Sequence, residues 1–370
     1  MRVALLDIIN FIVIFQLLVF IFFLLRKKTG RPSNRLLALF LFAQVMIILN
    51  FLFYRFSEII VAGYPHLLHV GLTFILIPAP SFYLYVKSIA YSDFRLKKSH
   101  LLHLLPFVLV TAFFSVVFYF YSAETKRFIF RNSPFLPREF WVGFNILIFA
   151  QLLIYNIAGL RVLSEYRKAI REQFSSIQNI NLSWLNFILY GFLFSWLTSV
   201  LVFVNVFIPI TDGDTVTFIN FLAFFIFFNI IFYKALIQPE IFSGVEERQK
   251  YQSSKLTAAE AEEYLSKLQT HMEKNKPYLN PTISLKDLAD QLTIPPRHLS
   301  QIVNEHIRKN FYDFISQYRI EEAKKMFRDS SIDKTVLEVL FEVGFNSKSS
   351  FNTAFKKFTG VTPSKFKDMN

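Results

Sequence analysis

The chain of 370 residues contains no cysteine. Disulfides, thiol nucleophiles and the thiolate zinc sites are therefore excluded. Charge is scarce: 18% of residues are Asp, Glu, Lys or Arg, against roughly 25% in soluble domains. What charge there is leans one way, with 40 basic against 27 acidic residues and a net +13. That balance points to an anionic partner, either lipid headgroups or nucleic acid. HExxH and acidic pairs are missing from the apolar regions, and no Ser there sits with an obvious base, so a membrane enzyme is not expected. In place of charge stand apolar residues, 53% of the chain, with 47 Phe.

These properties divide near Gly244. Residues 1–244 hold 20 basic and 10 acidic residues and most of the Phe. Residues 245–370 hold 20 and 17 and have ordinary soluble composition. A membrane span needs about 20 apolar residues. Runs free of Asp, Glu, Lys and Arg cover 8–25, 36–54, 59–86, 99–123, 140–160, 173–211 and 215–233. Two are long, with apolar cores at about 67–86 and 184–208, so seven spans are expected. The first run is too long for a signal peptide and lacks a small-residue cleavage site, so it reads as an anchor.

Basic residues set the orientation. Arg26, Lys27, Lys28, Arg31 and Arg35 follow the first run. Arg95, Lys97 and Lys98 follow the third; Arg161, Arg167, Lys168 and Arg171 follow the fifth. The N-terminus is thus expected outside, and residues 238–370 in the cytoplasm. One loop dissents: Lys126, Arg127, Arg131 and Arg138 fall on the expected outer side.

Within the runs, Asn145, Gln151, Asn156, Asn186, Asn205, Asn220 and Asn229 either bond between helices or line a ligand cavity. Pro78 and Pro80 predict a kink in the third span. His66 with His69, and His100 with His103, are spaced i, i+3, which suits structural histidines, a metal pair or a protonation switch. Lys87 is placed to snorkel to the inner interface. A transporter with a regulatory tail is the alternative to a signal transducer, but it calls for embedded charges or broken helices in two halves, and ionisable residues are nearly absent here.

The junction, residues 238–278, is charged. Leu256, Ala259, Tyr264, Leu265 and Leu268 form a helical apolar stripe, either a coupling or dimer surface or a face packed on the following domain. Asn275-Lys276-Pro277 and Asn280-Pro281 break it from that domain.

From Ser284 the pattern is specific. Ser284 is a helix N-cap with Asp287 as its partner. Leu285, Leu288, Ala289 and Leu292 bury one face, and Thr293-Ile294-Pro295 make a turn. Pro296 opens a second helix, on which Leu299, Ile302 and Val303 face inward. Arg297, Ser300, Gln301 and Asn304 are left on the opposite side. A linking helix carries Phe311, Phe314, Ile315 and Tyr318, with Arg319 and Lys324 along it. The plan then repeats: Val336, Val339, Leu340 and Val343, a Gly344 turn, and a helix capped by Ser347. That helix buries Phe351, Ala354, Phe355 and Phe358 and leaves Lys348, Ser349, Ser350, Asn352, Thr353, Lys356 and Lys357 polar. One α-helix fits a DNA major groove, where such side chains read base edges and phosphates. Arg297 and Lys348, 51 residues apart, mark two helix-turn-helix units.

Residues 279–366 resemble the AraC/XylS-type DNA-binding domain. The resemblance rests on residues 285–304 (LKDLADQLTIPPRHLSQIVN), 310–323 (NFYDFISQYRIEEA) and 342–366 (EVGFNSKSSFNTAFKKFTGVTPSKF). It implies transcriptional regulation, usually activation, with double-stranded DNA and RNA polymerase as partners. By motif position it gives base-facing roles to Arg297, Ser300, Gln301, Lys348, Ser349 and Thr353. Asn304, Ser350, Lys356 and Lys357 suit phosphate contacts. Leu340 departs from the family's small Ala, which implies a wider helix crossing in the second unit. The expected fold is all-α: a seven-helix transmembrane bundle over 1–237, a charged linker over 238–278 and a double helix-turn-helix domain over 279–370. The whole reads as a membrane-anchored one-component regulator, with lipid around it, an apolar or amphipathic ligand as its signal and a homodimer as one route of control. No catalytic, metal or cofactor site is expected.

Overall fold

The computed structural model describes residues 5–26, 32–132, 135–177, 180, 182–208, 222, 226, 229–230, 233, 256–329 and 334–369. Among them the chain is all-α, without a named strand, and an isolated bridge joins Phe174 to Ser284. It forms two compact units, residues 1–163 with 183–247, and residues 164–182 with 248–370.

The first unit contains α1 (Leu5–Arg26), α2 (Pro32–Arg55), α3 (Ser57–Gly63), α4 (Pro78–Ala90), α5 (Leu105–Phe114), α6 (Ala123–Asn132), the start of α7 (Arg138–Gln173) and α8 (Ser183–Asn205). Six helical stretches among the described residues are long and apolar enough to cross a membrane. They are Asp7–Arg26, Pro32–Arg55, Thr73–Ala90, Lys98–Tyr119, Arg138–Gln173 and Ser183–Asn205. The expected seventh, 215–233, and Asn220 within it lie mostly outside the described residues. Phe15, Leu109 and Ile154 are 60–68% exposed. Apolar surface on this scale suits hydrocarbon contact rather than water, and in hydrocarbon a helix satisfies its own backbone.

Three local features differ from the sequence expectation. Pro78 lies within the Thr73–Ala90 stretch and occupies the first turn of α4, where 3₁₀ turns at Pro65–Leu67 and Thr73–Leu76 give way to α-helix. A first-turn proline loses no hydrogen bond, so the helix starts there. The fifth run does not stop at 160, because α7 continues unbroken to Gln173. Its last 13 residues contain no Gly or Pro, and Val162, Leu163, Tyr166 and Ile170 are buried along them. The dissenting basic loop is largely occupied by internal bonds. Lys126 is buried, with Nζ 2.9 Å from His66 Nδ1 and 2.8 Å from the Tyr119 carbonyl. Arg127 donates to the carbonyls of Val61 and Ala62, and Arg138 covers the Phe207 ring. The histidine pairs are also engaged: Tyr54 Oη lies 2.6 Å from His69 Nδ1, and Tyr155 Oη 2.7 Å from His103 Nδ1.

In the second unit α9 (Ala258–Asn275) starts at a Thr257–Glu260 capping box. Leu268 and Met272 are fully buried in the domain core, with Leu256, Tyr264 and Leu265 packed against it. The junction stripe is therefore a packing face, although Ala261 is buried and Ala259 is exposed. Residues 238–255 lie outside the described residues. Next come α10 (Leu285–Leu292), α11 (Pro296–Gln301), α12 (Phe311–Arg328), α13 (Val336–Glu342), α14 (Lys348–Thr359) and α15 (Pro363–Asp368). The linking helix α12 serves two cores. Phe311, Phe314 and Ile315 enter one with α9–α11; Ile320, Ala323 and Phe327 enter the other with α13 and α14.

Candidate nucleic-acid interface

In the first helix-turn-helix unit Ser284 and Asp287 cap α10 reciprocally at 2.9 and 3.1 Å. Leu288, Ala289 and Leu292 are buried, as the spacing required. Thr293 ends α10 with φ +56°, in the left-handed region that a β-branched residue rarely enters. Pro295 then caps α11 and Pro296 takes its first turn. Leu299, Ile302 and Val303 anchor the recognition helix from below. Arg297 is exposed, while Ser300, Gln301 and Asn304 are half-buried. These polar groups brace one another: Asn304 Nδ2 donates to Ser300 Oγ at 3.2 Å, and Gln301 Nε2 to Glu305 Oε2 at 2.9 Å. α11 is only six residues long and passes into a π turn at Ile302–His306, which carries Asn304. Such a turn shifts the side chains after it relative to a regular helix.

The second unit opens with a Thr335–Glu338 capping box on α13. Val339, Leu340 and Val343 are fully buried. Gly344 has φ +90°, and a Cβ there would lie 2.7 Å from the Leu279 carbonyl oxygen and 2.8 Å from that of Tyr278. Both constraints require glycine at this position. Ser347 caps α14, twelve residues long, which buries Phe351, Ala354 and Phe355. Lys348, Ser349, Thr353, Lys356 and Lys357 are exposed. Ser350 is turned back on the cap, donating from Oγ to the Ser347 carbonyl at 3.0 Å. Lys357 is held by Asp313 of α12 at 2.7 Å, so this cation braces α14 against the linking helix.

The two units do not repeat with one spacing. First-helix positions correspond at 51 residues: the caps Ser284 and Thr335, the buried Ala289 and Leu340, and the turn residues Thr293 and Gly344. Recognition-helix positions correspond at 52: the caps Pro295 and Ser347, and the buried Leu299 and Phe351. The second turn is one residue longer. The structural counterpart of Arg297 is therefore Ser349, and Lys348 stands opposite Pro296.

Arg319, which the sequence placed along the linking helix without a role, is a central residue. It is 1% exposed on α12. Its guanidinium donates to the carbonyls of Tyr278 at 2.7 Å and Asn280 at 2.8 Å, and to Ser175 O and Oγ, each at 3.3 Å. Its face lies on the Phe345 ring. Burial lowers its pKa to about 10, so it remains charged at neutral pH. Ser175 belongs to the segment following α7. Its Oγ donates to the Ile283 carbonyl at 2.6 Å, and the Asn346 side chain reaches Ser176 Oγ at 3.2 Å. Arg171 of α7 lies over the Tyr312 ring. Residues 164–182 are thus built into the second unit, a contact with no local sequence signal. Nearby, partial burial opposes ionisation of Glu322. The hydrogen bond and charge of Lys276, with help from Lys325 and Tyr278, prevail and hold it below the ordinary carboxylate range. Among the described residues no three metal-ligating side chains cluster.

Residues 288–369 match the family described as helix-turn-helix domain. Over 90 residues the chain is 34% identical to an uncharacterized transcriptional regulatory protein, YesN, of Bacillus subtilis, covering 24% of each chain. Over 85 residues it is 34% identical to an uncharacterized HTH-type transcriptional regulator of Pseudoalteromonas carrageenovora, covering 23% of this chain and 49% of that one. Over 70 residues it is 30% identical to the HTH-type transcriptional regulator GlxA of Rhizobium meliloti, covering 19% and 21%. The chain spans less than half the length of each of these relatives. With both helix-turn-helix units in place on one linking helix, the C-terminal part of this chain is an AraC-type helix-turn-helix domain.

Proposed function

We propose that the chain is a membrane-anchored transcriptional regulator that binds double-stranded DNA and answers to a signal received by its membrane unit. The observation that carries DNA binding is the shared build of α11 and α14. Each is anchored by a buried apolar face and presents polar side chains on the other, the form a major-groove reader takes. In this reading Arg297, Ser300, Gln301, Lys348, Ser349 and Thr353 face bases. Asn304 and Lys356 face phosphates, while Ser350 and Lys357 act mainly as internal braces. Selection from randomised duplexes with the intact protein in nanodiscs should enrich one motif. Recovery of unenriched DNA would overturn the reading.

The alternating basic loops support an outer N-terminus, an inner DNA-binding domain and a multi-pass place in the plasma membrane. RNA polymerase and a second copy of the chain are the partners that such a regulator uses. Control by the membrane unit finds support in α7, which begins in the first unit and whose end is built into the second. This adds a route to the covalent junction at 238–276. One alanine inserted after Arg167 would turn the end of α7 by about 100°. It should uncouple a reporter promoter from the signal while leaving DNA affinity within about twofold. A normal response would overturn control through α7.

A further inference from the structure

The first unit contains a partly open cavity of about 690 Å³ lined by residues of α1, α2, α4, α7 and α8. Its size falls within the range of small-molecule sites, about 300–1,000 Å³. Among the described residues most of the lining is aliphatic or aromatic, and no Asp, Glu, Lys, Arg or His takes part. Two of the amides in the lining are incomplete. Asn10 Nδ2 and Asn156 Oδ1 are buried without a hydrogen-bond partner, and their residues are 5% and 7% exposed. Asn145, also in the lining, is satisfied by the Trp141 carbonyl at 2.8 Å. Gln151 donates to the Leu76 carbonyl and lies outside the lining. The orphaned amide oxygens of Asn50 and Asn186 are also outside it.

A buried amide group left unpaired carries its full desolvation cost, and surrounding hydrocarbon cannot supply the missing bond. Among the described amides of this apolar cavity, Asn10 leaves a donor and Asn156 an acceptor, and the pair defines a complementary ligand. It needs an acceptor for Asn10 and a donor for Asn156. With no charged group in the wall, an ionised head would be stranded in a medium of low dielectric. We infer that this cavity binds a neutral amphipathic molecule, an acyl chain bearing an amide head, with the head between Asn10 and Asn156 and the chain against the aromatic wall. This inference deepens the reading of the first unit as the sensing part and rests on it.

The test uses the intact protein in nanodiscs and radiolabelled dodecanamide. Methyl dodecanoate, which has an acceptor and no donor, and dodecanoate at pH 8, which is charged, serve as comparisons. Saturable binding of dodecanamide at least about tenfold tighter than of either comparison is expected. Asn10→Leu and Asn156→Leu should each reduce it about tenfold, and Asn186→Leu should leave it unchanged. Equal binding of the three probes, or non-saturable partition of all three, would overturn the inference on the unaltered protein alone, whatever the folding of the variants. Undiminished binding in both cavity variants would overturn the site. Duplex retention is measured on the same nanodiscs. Lost duplex retention with intact amide binding sinks the regulatory reading and spares the site; the converse sinks the site alone.

Discussion

The first helix-turn-helix unit turns at Thr293 and the second at Gly344, two residues at equivalent positions and both at positive φ. In the first unit a β-branched residue is strained in an open turn. In the second a glycine fits against the Tyr278 and Leu279 carbonyls, and the turn carries one extra residue before the Ser347 cap. That extra length brings Asn346 to Ser176 and to the Pro281 carbonyl. The recognition helices differ accordingly. α11 is short and passes into a π turn whose polar side chains hold one another; α14 is regular, braced by Asp313 and rich in lysine. Both units meet the segment after α7, the first through Ile283 and Ser284 and the second through Asn346, but only the second does so at its turn.

The largest effect should come from breaking the second turn. Gly344→Ala should destabilise the second unit by about 3 kcal/mol or more, from a clash with backbone and a left-handed φ, measured by thermal unfolding. Arg319→Ala strips partners from the Tyr278, Asn280 and Ser175 carbonyls and should cost about 2–3 kcal/mol. Arg319→Lys should recover only part, because one ammonium cannot match the guanidinium's planar fork. Full stability in Arg319→Ala would remove the hub from the account.

In DNA binding, Arg297→Ala should cost about 1–3 kcal/mol on the preferred duplex and relax one base preference. Lys356→Ala should weaken all duplexes alike and flatten the salt dependence by about one counterion. Titrations at several salt concentrations separate the two. The opposite change is expected at the first turn: Thr293→Asn should stabilise by about 1 kcal/mol, since Asn tolerates the left-handed region. A loss there would show the strain to be relieved elsewhere. The smallest effect is on pH. The carboxyl of Glu322 is held below its ordinary 4.5, so the stability it contributes is present above that value and lost as pH falls through the lowered one. Urea midpoints between pH 6 and 3 should fall more steeply for the unaltered chain than for Glu322→Gln.

Much of this was legible in the sequence because it is local. Apolar runs announce long apolar helices, Ser284 and Ser347 announce caps, and the spacing of Leu288, Ala289 and Leu292 or of Phe351, Ala354 and Phe355 announces buried faces. The 51-residue spacing from Arg297 to Lys348 located both units but left their recognition helices one residue out of register, because turn length leaves no periodic trace. The partners of Arg319 were out of reach for another reason: Ser175 lies 144 positions away, and periodicity reports on one helix at a time. The same limit hid the full length of α7, whose charged end reads as a loop until the face with Tyr166 and Ile170 finds its cover. It also made Lys126 and Arg127 look like topology signals when they are internal bonds.

Both helix-turn-helix units should engage one DNA molecule, and hydroxyl-radical footprinting of the intact protein in nanodiscs on its selected duplex tests this most directly. Two protected patches on one face, about 10 base pairs apart, are expected. Lys348→Ala should weaken one patch and Arg297→Ala the other. A single patch, unchanged by one of the two substitutions, would contradict it.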